Sequence, residues 1–403
     1  MKSTGLLYPL ITVVAMHIGT ASANTNEQSN DFDRWLSQFS QKAEAAGIGK
    51  QTIDQAFKNL TPNQKVLDLD RRQPEFVSTF YDYFRRAVSQ TRVANGRKNF
   101  RKQQALLAKV TQKYGVQSPY LVAFWGMETN YGGYTGNLSI IRSLATLAHD
   151  PRRSEFFSNE LLSALKILDR GHVQLDEMNG SWAGAMGQCQ FMPSNYLRYA
   201  VDGDDDSKIN LWKSLPDVFY SAAHFLNELG WQKGEPWGKE VTLPKNFDFS
   251  LADGKSSRSI AEWQALGVRF VHTSTDEVIP GQAKLVLASD YRGPAFLTFK
   301  NFDVIKRWNR SDKYAIAVGV LADQITGKPG LSYQQPKDDT GLDLTEVKQI
   351  QSLLNQAGYD AGKPDGIIGS KTRGALRAYQ KDKGLPADGY PSIRMLKLLS
   401  THP

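Results

Sequence analysis

Cysteine is almost absent from this chain: Cys189 is the single one in 403 residues. No intramolecular disulfide can form, and no thiolate zinc cluster can be built. Gln188, Gln190, Phe191 and Met192 beside Cys189 include no cation that would lower its pKa, which argues for a packed thiol rather than a nucleophile. A run long enough to span a membrane is also missing, because the apolar stretch from Leu6 to Ile18 is too short. There are no repeats, no low-complexity tracts and no helix-turn-helix or finger signature, which removes solenoids and the common DNA readers. Acids are scarce in one place: between Asp82 and Asp150 the only carboxylate is Glu128.

What is present points to a folded, exported, basic protein. Hydrophobic residues make up 40% of the chain, enough for a sizeable core, and the length suggests two or three domains. Lys2, the Leu6–Ile18 run and the small Ala21-Ser22-Ala23 step before Asn24 have the pattern of a cleaved leader over residues 1–23. No cysteine lies near that step, so no lipid anchor is expected. The net charge of +8 suits a polyanionic partner. Export sets nucleic acid aside and favours an acidic polymer outside the cytoplasm.

Apolar residues recur at helical spacing through 31–115, as at Trp35, Phe39 and Ala43, and helices broken by Gly-rich turns continue through 117–235. Between about 240 and 300 short β-prone runs appear, Val268–Val271, Leu285–Ala288 and Phe296–Phe299, which predict a strand-rich insertion. Ser311 is placed to cap a helix over Asp312–Thr326 that stops at Gly327. Residues 328–341 have the composition of a linker, and 342–401 form a separate small unit. The expected class is α+β, mainly helical.

Glu128 falls in Ser118-Pro119-Tyr120-Leu121-Val122-Ala123-Phe124-Trp125-Gly126-Met127-Glu128-Thr129-Asn130-Tyr131-Gly132-Gly133. Ser118 as cap and Pro119 as first residue predict a core helix running to about Tyr131. A carboxyl at the end of such a helix loses solvation, which disfavours its charged form and suits it to general acid chemistry. The same position would also suit a helix-end Glu satisfied by an Arg or by backbone groups.

Arg152 and Arg153 form a tandem pair able to fork onto a carboxylate or phosphate, or to serve as surface charge. The Trp182–Ser194 segment mixes glycine, amide and aromatic residues, a composition suited to sugars or to a tight helix–helix turn. Asp202, Asp204 and Asp206 alternate as in the first half of an EF-hand loop, with Lys208 offering its carbonyl and Asp217 able to close the site. Ser207 stands where the turn glycine is expected and Lys213 where the closing Glu is expected, so structural calcium and a solvated acidic loop both remain open.

Together these segments resemble the B-type lytic murein transglycosylases, a lysozyme-like family, over residues 31–327. The resemblance rests on Trp125–Gly132, Asp150-Pro151-Arg152-Arg153, Gly184–Ser194, Gly230-Trp231, Pro236-Trp237-Gly238, and Arg307-Trp308-Asn309 with Tyr314. Residues 342–401 resemble the type 1 peptidoglycan-binding domain, a three-helix module, through Ile350-Gln351, Gly358-Tyr359, Asp365-Gly366, Tyr379-Gln380 and Asp388-Gly389. The resemblance implies cleavage of the N-acetylmuramic acid to N-acetylglucosamine bond with closure of a 1,6-anhydro ring, in the periplasm, with no cofactor required for catalysis. Glu128 would be acid and then base. Substrate contacts would fall on Arg152, Arg153, Ser181, Gln190, Phe225, Trp308, Asn309 and Tyr314, with Ser181 and Asn309 on the acetamido group. Trp308 would stack on sugar without the phenolic hydrogen bond of a Tyr. Calcium, where bound, would sit at Asp202, Asp204, Asp206, Lys208 and Asp217. The expected partner is the glycan strand. A water-using muramidase with a second carboxylate at Asp150 or Glu155, or a non-catalytic wall-binding protein, are the competing readings; product ends distinguish them.

Overall fold

A computed structural model describes residues 20–72, 78–272, 279, 281–333 and 335–401, with side chains from Asn30 onward except Arg72. The Leu6–Ile18 run of the expected leader lies outside the described residues, and Ala21-Ser22-Ala23 falls in the backbone of the first helix. Among the described residues six α-helices precede the Glu128 segment: α1 (Thr20–Ala45), α2 (Lys50–Phe57), α3 (Gln64–Arg72), α4 (Phe80–Ala87), α5 (Gln90–Lys102) and α6 (Gln104–Tyr114). Thr79 and Ser89 start α4 and α5 by accepting hydrogen bonds from the third residue of each helix, Asp82 and Arg92.

Glu128 lies on the last turn of α7 (Ser118–Thr129). Tyr120 to Gly126 are all buried, so α7 is enclosed on every side rather than amphipathic. Gln117, not Ser118, occupies the cap position, and it makes no side-chain cap bond. The Ser118 hydroxyl instead bonds Thr111 at 2.8 Å and ties α6 to α7. The helix ends at Thr129, with Asn130 and Tyr131 both left-handed, and Tyr131 folds back between helices. A Cβ on Gly96 of α5 would stand 2.6 Å from the Tyr131 hydroxyl, and one on Gly126 would stand 2.6 Å from its ring. These glycines are what let Tyr131 close the turn, and its hydroxyl donates to the Arg92 carbonyl at 2.7 Å.

The two-residue strands β1 (Leu138–Ser139) and β2 (Asn179–Gly180) pair antiparallel across α8 (Ile140–His149) and α9 (Ser154–Asp169). Next come α10 (Pro193–Tyr199) and α11 (Leu215–Glu228). The predicted insertion is a five-stranded antiparallel sheet built from β3 (Gly238–Thr242), β4 (Ser257–Ser259), β5 (Arg269–Phe270), β6 (Gln282–Leu287) and β7 (Ala295–Thr298). Its order is β4-β6-β7-β3-β5. A short helix, α12 (Ile260–Ala265), carries Trp263 into a separate core with Phe247, Leu285 and Leu297. The chain then returns through α13 (Lys300–Trp308) and α14 (Asp312–Ile325), which packs on α7. Ser311 caps α14 as the sequence predicts.

Residues 328–341 hold no helix or strand among those described, yet Leu331 and Tyr333 pack on the main helical core. The C-terminal unit is three helices, α15 (Leu344–Gln356), α16 (Ser370–Asp382) and α17 (Ile393–Thr401), around Ile350, Leu354, Leu376 and Leu399. It is docked on the insertion: Asp388 accepts from the Tyr291 backbone N–H at 2.9 Å, and Arg377 donates to the Ala252 carbonyl at 3.3 Å.

Candidate active site

Helix α7 delivers Glu128 half-buried to a small, mostly apolar pocket that Trp308 also lines, and α13 and α14 deliver its partners. The Tyr314 hydroxyl donates to Glu128 Oε1, and Trp308 Nε1 donates to the same oxygen at 3.1 Å. The indole has no phenolic hydroxyl to offer, as expected of Trp in place of Tyr, but its own N–H supplies a hydrogen bond to the carboxylate. Burial, the Glu128 charge and their mutual hydrogen bond push the Tyr314 phenol well above its ordinary 10.0. It stays a proton donor at any working pH.

An aromatic wall backs this pair. The Trp308 ring lies 4.5 Å from Phe124, 5.2 Å from Phe225 and 5.4 Å from Phe191, centroid to centroid. Phe225 thus reaches the site as a ring packed on Trp308, and Tyr199 packs behind it at 4.6 Å.

The turn after Glu128 is held by an amide. Gln188 is buried and accepts from Trp125 Nε1 at 2.7 Å, while its own Nε2 donates to the Trp212 carbonyl at 2.8 Å. Thr129 Oγ1 donates to the Gln188 carbonyl at 3.2 Å. Sequence reasoning took Gln188 as a neighbour of Cys189 and as one of the amides of the Trp182–Ser194 segment; its partners stand 24 and 63 positions away, and no local spacing pointed to them. Cys189 is buried, and burial together with the charges of Glu128 and Asp217 pushes its thiol up, so it is packing, not a nucleophile.

The other predicted contacts sit apart from that carboxylate in their bonding. Ser181 is half-buried beside β2, and its hydroxyl accepts from the Ala185 N–H at 2.9 Å. Gln190 has a left-handed backbone and donates to the carbonyls of Thr135 and Gly187 at 3.0 and 2.9 Å. Asn309 is exposed at the end of α13. Arg152 and Arg153 both turn onto the buried Asp70, Arg152 at 3.3 Å. Asp150, a candidate second carboxylate, pairs with Arg71 at 3.3 Å and accepts from the Arg152 N–H at 2.9 Å. Glu155 is exposed in the first turn of α9.

In the acidic loop, carboxylate oxygens of Asp202, Asp204 and Asp217 lie within 4.8 Å of one another. Asp206 stands outside this trio, exposed, and accepts from the Lys208 N–H at 2.8 Å. Asp217 is buried and accepts from the N–H groups of Gly203 and Asn210 at 2.7 and 2.6 Å. Burial lifts its carboxyl above the ordinary carboxylate range against those two donors, and the charges of Asp204 and Asp202 add to the rise. Three hard oxygen groups repelling one another in a formed loop fit a divalent cation such as calcium.

Comparison with known proteins follows the same outline. Residues 31–323 match the model of a transglycosylase SLT domain, and 344–399 match that of a peptidoglycan binding domain. SltB3 of Pseudomonas aeruginosa, solved in complex with NAG-anhNAM-pentapeptide, is 43% identical over 92% of this chain and 99% of its own, with a TM-score of 0.88. The Escherichia coli lytic transglycosylase Slt35, solved in complex with calcium, is 30% identical over 72% of this chain and 92% of its own, with a TM-score of 0.61. Membrane-bound lytic murein transglycosylase B of Escherichia coli (strain K12) is 32% identical over 249 residues, 60% of this chain and 66% of its own length. No helix among the described residues is long and apolar enough to cross a membrane. With a transglycosylase domain spanning most of its length and a peptidoglycan-binding module behind it, the chain belongs to the lytic transglycosylase family, peptidoglycan-cleaving lyases of lysozyme-like fold.

Proposed function

We propose that this chain cleaves the β-1,4 bond between N-acetylmuramic acid and N-acetylglucosamine in peptidoglycan and leaves a 1,6-anhydro end. The observation that carries the reading is the convergence of Tyr314 and Trp308 on Glu128 Oε1. Glu128 gives its proton to the bond oxygen, and the departing sugar takes it. The acetamido group of the remaining sugar assists at C1. Glu128 then takes the proton of the C6 hydroxyl as that oxygen closes on C1, so no water is consumed. A single carboxyl used twice needs fixed orientation through both steps, which two donors on one oxygen provide. The engagement of Asp150 by Arg71 and Arg152 supports a mechanism without a second carboxylate.

Trp308 offers a ring face to the sugars, with the buried Phe225 packed against it, and Ser181, Gln190 and Asn309 offer polar groups to the acetamido and hydroxyl groups. Arg152 and Arg153 flank the strand, oriented by Asp70. Asp202, Asp204 and Asp217 hold structural calcium, with Asp206 and the Lys208 carbonyl nearby; calcium stiffens the loop and takes no part in bond cleavage. Residues 1–23 are removed on export to the periplasm, 31–327 form the catalytic unit with its insertion near 240–300, 328–341 connect, and 342–401 bind the wall. The test is mass spectrometry of fragments released from purified sacculi. Anhydro-muropeptides from the wild type and none from Glu128→Gln are expected; reducing-end products would refute the mechanism.

A further inference from the structure

A polar cleft of about 300 Å³ opens between the insertion, the α13–α14 corner and the docked C-terminal module. It is separate from the Glu128 site, and its cations come from three parts of the chain: Lys255 from the insertion, Lys306 from α13, and Arg373 and Arg377 from α16. Lys306 is matched by Asp312 at 2.6 Å. Lys255, Arg373 and Arg377 have no ion-pair partner among the described residues. Arg377 spends one donor on the Ala252 carbonyl, and its Nε is buried with nothing to bond. Helix α16 also starts at this cleft with no side-chain cap at Gly369.

The acids lining the cleft offset these cations only in part: the charges of Asp253 and Asp388 act on Arg377, but neither forms an ion pair with it. Asp253 is occupied by the N–H groups of Lys255 and Ser256 at 2.7 and 2.8 Å. Asp388 accepts from Tyr291, Tyr390 and Gln380. Two guanidinium groups four residues apart on one helix face, one with an orphaned buried donor, destabilise the fold unless an anion meets them. Guanidinium forks fit planar carboxylates in particular. The lining also mixes signs, with Asp253 and Asp312 beside the cations. That suits a peptide carrying both carboxylate and amine better than a polyphosphate.

We infer that this cleft is a second binding site, which takes the carboxylate-bearing peptide stem of the wall polymer, with Arg373 and Arg377 as the anion clamp and Lys255 closing from the insertion. The inference rests on the proposed function only for the identity of the polymer. Because each wall comes from a different unit, the site exists only while the module is docked, so peptide binding and docking are linked. A stem held here anchors the strand while Glu128 acts elsewhere on it.

The test measures fluorescence anisotropy of a labelled stem pentapeptide with free carboxylates on the full-length exported chain. The variants are Arg373→Ala and, as an exposed change on the opposite wall, Lys255→Glu. Each is expected to weaken peptide binding roughly tenfold or more, and amidating the peptide carboxylates should have the same effect on the wild type. Melting temperature should hold or rise for Arg373→Ala, since a repulsion is removed. Equal binding by wild type and both variants would overturn the inference. So would inorganic phosphate displacing the peptide as effectively as acetate does. Release of anhydro products from peptide-free glycan by the wild type, measured on the same preparation, reads the Glu128 site separately. Wild type making these products while peptide binding ignores the variants would sink the cleft alone. Wild type making none while the variants lose the peptide would sink the proposed function alone.

Discussion

Removing one donor at a time from Glu128 Oε1 tests the mechanism more sharply than removing the carboxylate. Tyr314→Phe deletes a hydroxyl and keeps the ring; Trp308→Phe deletes the indole N–H and keeps a ring against Phe124 and Phe225. Glu128 becomes negative as it gives up its proton, so both bonds pass from neutral to charge-assisted in the first transition state. Neutral hydrogen bonds contribute about 0.5–1.5 kcal/mol and those to charged groups about 1.5–3 kcal/mol. The difference, about 1–1.5 kcal/mol per donor, is the part that accelerates the step. It corresponds to roughly a five- to tenfold loss in kcat for each single variant. KM should change little, because substrate is bound before that charge develops.

The double variant should lose more than the product of the two singles. Two donors sharing one oxygen compete, so either one tightens when the other is gone, and each single loss is partly masked. The assay is the initial rate of anhydro-muropeptide release from a defined glycan oligomer, with melting temperature as a control for folding. Singles that keep full kcat would refute the argument, as would a double variant no slower than the slower single.

Calcium should raise the melting temperature of the wild type, by an amount equivalent to about 2.7 kcal/mol at a concentration a hundred times Kd, and Asp204→Ala should abolish the shift. No calcium-dependent shift in the wild type would remove the metal site. Gln188→Ala strands the buried Trp125 Nε1 and should destabilise the fold by about 1–3 kcal/mol, seen as a lower urea midpoint. Asp339 is held by burial, with Asp290 repelling it, at a pKa of about 6, and its Oδ2 is buried without a partner. Its folded pKa stands above the unfolded 3.8, so the stability it contributes is present below 3.8 and lost as pH rises through about 6. Asp339→Asn should therefore flatten the pH dependence of the melting temperature across that window and raise it near neutrality; an unchanged slope would refute this.

Glu128 was legible because its local surroundings single it out: no other acid for dozens of positions, an apolar helix before it and glycines after it. Its donors were not legible in that way, since Trp308 and Tyr314 lie 180 and 186 positions on. Only the family resemblance brought them to the site, and it gave Trp308 a stacking role without the indole N–H bond to Glu128. Three strands of the insertion, β5, β6 and β7, were readable from β-branched and aromatic runs, but β3 and β4 were not, nor was the order β4-β6-β7-β3-β5, because the runs do not say which edges pair.

The arginine pair shows the same limit from the other side. Arg152 and Arg153 carry a guanidinium signal that any anion satisfies, and the anion they meet is Asp70. Asp70 lies in the charged Asp68-Leu69-Asp70-Arg71-Arg72 stretch, yet it is buried. Asp388 behaves likewise: beside Gly389 it reads as a turn residue, and it does accept from the Tyr390 N–H, but its second oxygen takes the Tyr291 N–H and fixes the module to the insertion. In each case the residue type states what partner the group needs, and the fold supplies one from a distant segment. Where it supplies none, as at the buried Nε of Arg377, the unmet need is itself the reason to look for a ligand.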